Sequence, residues 1–353
     1  MSFLAAIAVL AVLILVHELG HFVAARSQGI YVNRFSLGFG PVIWKYQGPQ
    51  TEYAVRAFPL GGFVGFPDDD PDSDIPADDP NLLRNRPVFD RAIVISAGVI
   101  ANLIFAYFLL VSQVSFVGIP HATLPGVLIQ QLAPEVSSVA TNAGIQKGDV
   151  ILFANNKQFG TSLQDIDSFR NIIKNNAGKP VQLEIARGDQ KLSVQVIPEA
   201  KSQDGTIGVG LSPNGKVERR PSGNIGAAFA PAANEFQRIV ALTFQGFGQL
   251  VTHFQQTAGQ LAGPVKIVKM GANIAQNDAG NLFFFAALIS INLAVINILP
   301  LPALDGGQLA FLLIEGLRGK PLPMRIQEGV MQTGLVLLLG LGIFLIVKET
   351  LFQ

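Results

Sequence analysis

The sequence contains no cysteine among its 353 residues, and only 14% of its residues are charged. The absence of cysteine excludes disulfide bonds and thiolate metal ligands. Soluble domains typically carry about 25% charged residues, so the shortage of charge favours a membrane protein with one sizeable polar region. The sequence has 25 basic residues (lysine and arginine) and 25 acidic residues (aspartate and glutamate). It therefore lacks the excess of positive charge that would indicate a nucleic-acid partner.

Histidine is scarce as well, and two of the four histidines fall within the six residues Val16–His21. His17 and His21 are four positions apart, so on a helix they face the same side and can bind one metal ion. Glu18 follows the first histidine, where its carboxylate can act as a general base on a metal-bound water. The motif therefore predicts a catalytic Zn²⁺ site, with a hydrogen-bonded polar patch inside a helix bundle as the alternative.

Four apolar runs predict helices that cross the membrane, at about residues 3–25, 92–117, 281–298 and 330–347. The first run lacks the basic flank and cleavage site of a signal peptide, so we expect a retained span. Arginine and lysine lie in the loops between spans one and two and between spans three and four. The positive-inside rule then puts these loops in the cytoplasm, with both termini and the polar insert on the other side.

The third span runs into a stretch of prolines and glycines at Leu299–Gly307 that must interrupt the helix. Irregular backbone at membrane depth is tolerated only where it is buried in protein or lines a cavity. Asp305 in this stretch suits the third protein ligand of a catalytic zinc, or else it caps a helix expected to begin near Gln308. Asn292 and Asn297 are expected either to pair with unwound substrate backbone or to fix the kink.

In the second span, Gly98 and Asn102 are four residues apart and share one helical face. Small residues allow close helix approach, and an asparagine inside the membrane needs a polar partner. The pair therefore indicates either helix packing alone or a role beside the metal site.

Short alternating runs between residues 30 and 66 predict a membrane-associated β-hairpin region. One of its edges either pairs with an extended substrate segment or simply covers the site.

Residues 121–200 lack membrane-spanning character and read as strand, helix and hairpin. Together with Ala143–Ile151 (AGIQKGDVI), this order resembles a bacterial PDZ domain. The resemblance implies a groove for a peptide or protein tail, expected between Val127–Gln130 and the helix 164–175. Residues 201–222 read as a polar linker. The amphipathic pattern of 225–261 predicts a helix that lies on the membrane surface or packs onto the bundle.

The predicted fold is thus an α-helical multi-pass membrane protein with about four transmembrane helices, a membrane-associated β-hairpin region and an inserted α+β PDZ-like domain. We divide it into two N-terminal spans with the β-region, the PDZ-like domain, a linker with the amphipathic helix, and two C-terminal spans, at residues 1–120, 121–200, 201–280 and 281–353.

The combination of His17-Glu18-Leu19-Gly20-His21, one PDZ-like region and a late Leu304-Asp305-Gly306 resembles the site-2 protease family of intramembrane zinc metalloproteases. The likeness covers nearly the whole chain and is strongest to the bacterial branch that includes the regulator-of-sigma-E protease. A single PDZ-like region departs from the two found in that relative. Leu261–Pro264 also resembles a segment that precedes the third span in this family.

The resemblance implies that His17, His21 and Asp305 bind zinc and that Glu18 is the catalytic base. It further implies that Asn292, Asn297, Pro300 and Pro302 belong to the substrate-handling span, and Gly98 and Asn102 match the second-span pattern of the family. We expect all six residues to form a substrate-binding set. The expected substrates are single-span membrane proteins, such as anti-sigma factors or remnant signal peptides, in a bacterial plasma membrane. The alternative is a non-proteolytic membrane scaffold with a structural zinc, which would need no base beside the metal.

Overall fold

A computed structural model describes residues 2–70, 73–133, 135–201, 204–253 and 262–351. The chain forms two compact units, one from residues 1–115 and 223–353 and the other from residues 116–222. Each unit is described here by itself.

Four helices are long and apolar enough to cross a membrane, at Ser2–Ser27, Val88–Val117, Ala279–Ile298 and Met324–Leu351. The prediction of four spans is confirmed. The second and fourth helices begin several residues before the predicted apolar runs, because a helix continues into the polar residues that flank its lipid-facing part.

The first unit begins with two of these helices and the β-region between them, whose bounds are α1 Ser2–Ser27, β1 Arg34–Gln47, β2 Glu52–Gly65 and α2 Val88–Ser112. A π-helical turn, Gln113–Val117, extends α2. Both β1 and β2 fold back on themselves, so the sheet has four segments. Residues 34–37 pair antiparallel with 62–65 and parallel with 52–55, and residues 42–47 pair antiparallel with 52–56. The segment 62–65 therefore forms one edge of this sheet.

The second unit contains ten strands and two helices within the described residues. In chain order they are β3 Ile119–Ala122, β4 Val127–Leu132, α3 Val139–Asn142, β5 Val150–Ala154, β6 Lys157–Gln158, α4 Gln164–Asn175, β7 Val181–Arg187, β8 Gln190–Val196, β9 Glu199–Lys201, β10 Asp204–Thr206, β11 Val209–Pro213 and β12 Val217–Arg220. The main sheet has the order β11-β4-β5-β7-β8, and its buried core includes Phe159 and Phe169, which pack edge to face. Helix α4 occupies the predicted range 164–175, and β7 and β8 form the predicted hairpin.

The predicted linker at 201–222 is wrong, because this stretch supplies strands to the second unit. β11 pairs antiparallel with β4, from Val209 opposite Leu132 to Pro213 opposite Val127. The predicted groove beside Val127–Gln130 is therefore also wrong, since β11 occupies that edge of β4. The glycines and prolines of this stretch are typical of a linker. The strand is not evident in the sequence, because five residues interrupted by a glycine show little alternation of apolar and polar side chains.

The first unit resumes with five helices in the described residues: α5 Ile225–Thr252, α6 Pro264–Asn277, α7 Leu282–Ile298, α8 Asp305–Arg318 and α9 Met324–Leu351. α5 packs onto α2, where the Tyr107 ring contacts Phe229 and Phe236 and its hydroxyl donates to the Phe229 carbonyl at 3.1 Å. Of the two predicted arrangements for this helix, the structure therefore has the one in which it packs onto the bundle. The predicted continuation through Phe254 to residue 261 lies outside the described residues, as does Leu261 of the family-like segment.

Helix α6 was not predicted from the sequence. Its N-terminus is capped by a side chain from the last helix, because the Glu349 carboxylate accepts the backbone N–H groups of Gly263 at 2.5 Å and Lys266 at 3.1 Å. This contact joins α9 to α6.

Candidate metal centre

The two histidines of the motif lie on α1, one helical turn apart. Their ring centroids are 4.8 Å apart and the rings are nearly perpendicular, which brings the two Nε2 atoms to 3.2 Å. Only 13% and 12% of the His17 and His21 side chains are exposed. The helix thus presents two imidazole nitrogens to one point within an apolar segment.

Asp305 reaches the same point from the other end of the chain. α7 ends at Ile298, an irregular turn follows, and α8 begins at Asp305 with Leu304 as its N-cap residue. Asp305 is therefore not the cap. Its Oδ2 atom lies 3.3 Å from His17 Nε2 and 3.5 Å from His21 Nε2.

These three atoms fit a bound cation. Ligand atoms on a tetrahedral zinc with bonds of about 2.0–2.1 Å lie about 3.3 Å apart, and the separations here are 3.2, 3.3 and 3.5 Å. Asp305 Oδ2 is buried and has no hydrogen-bond partner among the described residues. Two imidazoles and a carboxylate are donors that suit Zn²⁺, and among the described residues the cluster contains these three candidate ligands. A zinc ion held by these three residues would keep a fourth coordination position for water or substrate, as catalytic zinc sites do.

The cluster opens into a cavity of about 610 Å³ that also contains Glu18. Residues 62–64 of the sheet edge line the same cavity, and the backbone at Gly62 lies very close to Glu18. A Cβ atom placed on Gly62 would lie 2.9 Å from Glu18 Cγ and 2.9 Å from the Ser36 carbonyl oxygen. Backbone at this position therefore runs directly beside the glutamate.

The structure brings some of the remaining predicted residues to the cluster and leaves others away from it. Asn297 Nδ2 lies 3.3 Å from His17 Nε2, whereas the Asn292 side chain accepts a hydrogen bond from Thr243 of α5 at 2.8 Å. Pro300 is exposed. Pro302 packs tightly against α9, because a Cβ built on Gly334 would lie 2.2 Å from the Pro302 Cβ.

Gly98 and Asn102 both contact the histidines. A Cβ on Gly98 would lie 2.3 Å from His21 Nε2 and 2.8 Å from His17 Cε1. The Asn102 amide nitrogen lies 3.4 Å from His17 Nδ1.

Two contributors to the site were missed from the sequence. Gly62 lies within the predicted β-region, and the sequence does not indicate which strand edge of that region meets α1. The Val94 carbonyl lies 2.9 Å from His21 Nδ1, and a backbone carbonyl leaves no residue-type signal in a sequence.

Helices of membrane-spanning length that bring an HExxH motif together with an aspartate able to bind the same metal ion define the class of membrane-embedded metalloproteases. Residues 5–341 match the profile of peptidase family M50, so the chain belongs to that family. It is an integral membrane zinc metalloprotease, and the site-2 protease resemblance is confirmed.

Relatives from three organisms are similar over almost the whole chain. "Putative zinc metalloprotease all3971" of Nostoc sp. is 80% identical over 99% of this chain and 96% of its own length. The chloroplast "Membrane metalloprotease ARASP" of Arabidopsis thaliana is 48% identical over 99% of this chain and 79% of its own length. "Regulator of sigma-E protease RseP" of Escherichia coli is 30% identical over 96% of both chains.

Proposed function

We propose that this protein hydrolyses peptide bonds within the transmembrane segments of single-span membrane proteins, with His17, His21 and Asp305 as zinc ligands and Glu18 as the general base. The observation that carries the proposal is the tetrahedral spacing of three ligand atoms contributed by helices of a membrane-spanning bundle. Anti-sigma factors and remnant signal peptides are the substrate types that fit this activity.

Each group of the site has a distinct task. A Zn²⁺ held by His17, His21 and Asp305 would supply a Lewis acid that polarises the scissile carbonyl and activates the attacking water. The Glu18 carboxylate would accept one proton from this water as the water oxygen bonds to the carbonyl carbon. Glu18 then delivers the proton to the amide nitrogen as the C–N bond breaks, so that an acid and an amine are released.

The substrate must be extended when it reacts, because a helical peptide bond has its carbonyl engaged in a hydrogen bond. The sheet edge 62–65 can hold an unwound segment by strand addition, and its position beside Glu18 supports this role over that of a mere cover. Asn297, next to His17, is placed to hydrogen-bond the opened backbone.

The second unit is proposed to act as a PDZ-like module that binds a peptide or protein tail. Because β11 ends the sheet beside β4, we propose that the edge Val209–Pro213 and the neighbouring α4 form the binding groove. This location replaces the one expected from the sequence.

The test compares cleavage of a single-span reporter in membranes by wild type, Glu18→Gln and Asp305→Ala, with bound zinc measured in parallel. Glu18→Gln should retain zinc and lose about 10²- to 10⁴-fold in cleavage rate, the usual contribution of a general base. Asp305→Ala should lose both zinc and cleavage. Glu184→Gln, an exposed strand residue, is the matched control and should behave as wild type.

Cleavage by Glu18→Gln at the wild-type rate would exclude the assigned base. Wild-type protein that binds zinc but cuts no reporter, including one with a helix-destabilising segment, would favour the scaffold with a structural zinc.

We also propose that the loops between spans one and two and between spans three and four face the cytoplasm, with both termini and the second unit on the opposite side. The absence of native cysteine makes the test direct, since single cysteines need no background removal. Asp189→Cys, in an exposed turn, should react with a membrane-impermeant maleimide on intact cells, and the exposed Lys320→Cys only after permeabilisation. The reverse labelling pattern would show that the orientation is opposite to the one proposed.

A further inference from the structure

The outer ring nitrogens of both histidines point at α2. His21 Nδ1 lies 2.9 Å from the Val94 carbonyl oxygen, and His17 Nδ1 lies 3.4 Å from the Asn102 side chain. Gly98 lies between these two positions and contacts both rings. The three α2 residues are spaced by four, so they form one continuous face of that helix.

The Val94 contact fixes the state of the His21 ring. A backbone carbonyl only accepts hydrogen bonds, so Nδ1 of His21 must carry the proton and donate it. In the neutral ring the lone pair is then on Nε2, the atom that meets Asp305. His21 is thereby held in the tautomer that binds a metal through Nε2.

His17 needs a matching acceptor. Its Nε2 is the atom in the cluster, so its Nδ1 must carry the proton when Nε2 binds a metal. Asn102 is fully buried beside this Nδ1, and its own Oδ1 has no hydrogen-bond partner among the described residues. The two ends of an amide have the same shape, so a half-turn of the side chain places Oδ1 against the His17 N–H.

Gly98 makes this arrangement sterically feasible. Any side chain there would occupy the space of the imidazoles, because a Cβ would come within 2.3 Å of His21 Nε2. The absence of a side chain lets both rings rest directly on α2.

We propose that Val94, Gly98 and Asn102 form a cradle on α2 that sets the orientation and tautomer of both zinc histidines. Asn102 is thus a positioning residue for His17, in place of the substrate-binding role expected from the sequence. The inference rests on the proposed function, since it assumes that His17 and His21 bind zinc.

The test measures zinc affinity by competition with a chelator in the purified full-length protein. Asn102→Leu removes the acceptor at similar size and should lower zinc affinity about 10- to 100-fold, the usual effect of losing such a partner. Asn102→Asp keeps an acceptor oxygen and should stay within a few-fold of wild type. Cleavage by Asn102→Leu should recover when excess zinc restores occupancy.

Ser290→Ala is the matched control, because the Ser290 hydroxyl donates to the Asn102 backbone carbonyl at 2.8 Å. Ser290→Ala removes this contact between α7 and α2 but leaves the side-chain amide of Asn102 in place. It should therefore leave zinc affinity unchanged. Asn102→Ala replaces the leucine variant if leucine prevents folding.

Wild-type affinity in the folded leucine or alanine variant would overturn the inference, and so would an equal loss in Asn102→Asp. Failure of the wild type itself to bind zinc would instead refute the proposed function. The two failures are therefore distinguishable.

Discussion

At the scale of single residues, glycine determines how closely the parts of the site approach one another. Gly62 brings a strand against Glu18, and Gly20 brings α1 against α2, where a Cβ would lie 2.4 Å from the Ala97 carbonyl oxygen. Because these neighbours include backbone atoms, they cannot move aside as a flexible side chain would. These close approaches fix the positions of Glu18 and of the histidines on α1.

We expect Gly62→Ala to lower cleavage about 10²-fold, the typical effect of a displacement of about 1 Å at a reacting group. The added methyl meets both Glu18 and the Ser36 carbonyl, so Glu18 or the strand must shift. Bound zinc should be unchanged, because the atoms nearest to the added methyl belong to Glu18 and Ser36 and not to the proposed ligands. Gly340→Ala, with nothing within 4 Å, is the control, and an active Gly62→Ala enzyme would contradict the assigned proximity.

At the scale of elements, α2 is joined to α8 by an ion pair between Arg91 and Glu315. Both side chains are only 15% exposed, and both line the cavity that holds the cluster. Since α8 begins with Asp305, this pair helps to hold the carboxylate of α8 opposite the histidines on α1.

Arg91→Gln and Glu315→Gln should each lower the midpoint of thermal unfolding, because each leaves the other charge partly buried and unpaired. The double variant should lose less than the sum of the two single variants, with a coupling free energy of about 0.5–3 kcal/mol. Thermal unfolding in detergent for all four proteins gives this value. Strict additivity would show that the two groups do not interact.

Local patterns predicted elements well but could not show what each element faces. The apolar runs located the four spans, and the spacing of His17 and His21 predicted their convergence. Gly98 and Asn102 were recognised as one face of α2, yet only the three-dimensional packing reveals that this face meets the imidazoles. Val209–Pro213 was missed for a similar reason, because its pairing with β4 depends on contacts between residues distant in the sequence.

At the scale of the whole molecule, the second unit has its own core and its own buried charge. The Asp149 carboxylate accepts two hydrogen bonds of 2.8 Å from the Arg187 guanidinium and one of 2.8 Å from the backbone N–H of Gln146. Burial acts to raise the pKa of Asp149, but the hydrogen bonds outweigh it and hold that pKa below its usual range. The ionised carboxylate therefore stabilises this unit.

Folding lowers the pKa of Asp149, so its ionisation contributes to the free energy of unfolding. That contribution is complete above the pKa of the unfolded state, about 3.9, and is lost as pH falls towards the pKa of the folded state. Asp149→Asn should therefore speed hydrogen exchange in β5 and β7 at pH 7, and the difference from wild type should shrink below about pH 4. Mass spectrometry of both proteins at matched pH measures this. The exposed Asp167→Asn is the control, and a pH-independent difference would contradict the electrostatic explanation.

The proposed ligands come from opposite ends of the chain, with the histidines on the first helix and Asp305 at the start of the penultimate one. Translation at about 5–20 residues per second takes tens of seconds to pass from His21 to Asp305. Throughout that interval the nascent chain carries only two of the three proposed ligands. The proposed metal site therefore becomes complete only after the second and third spans have been synthesised.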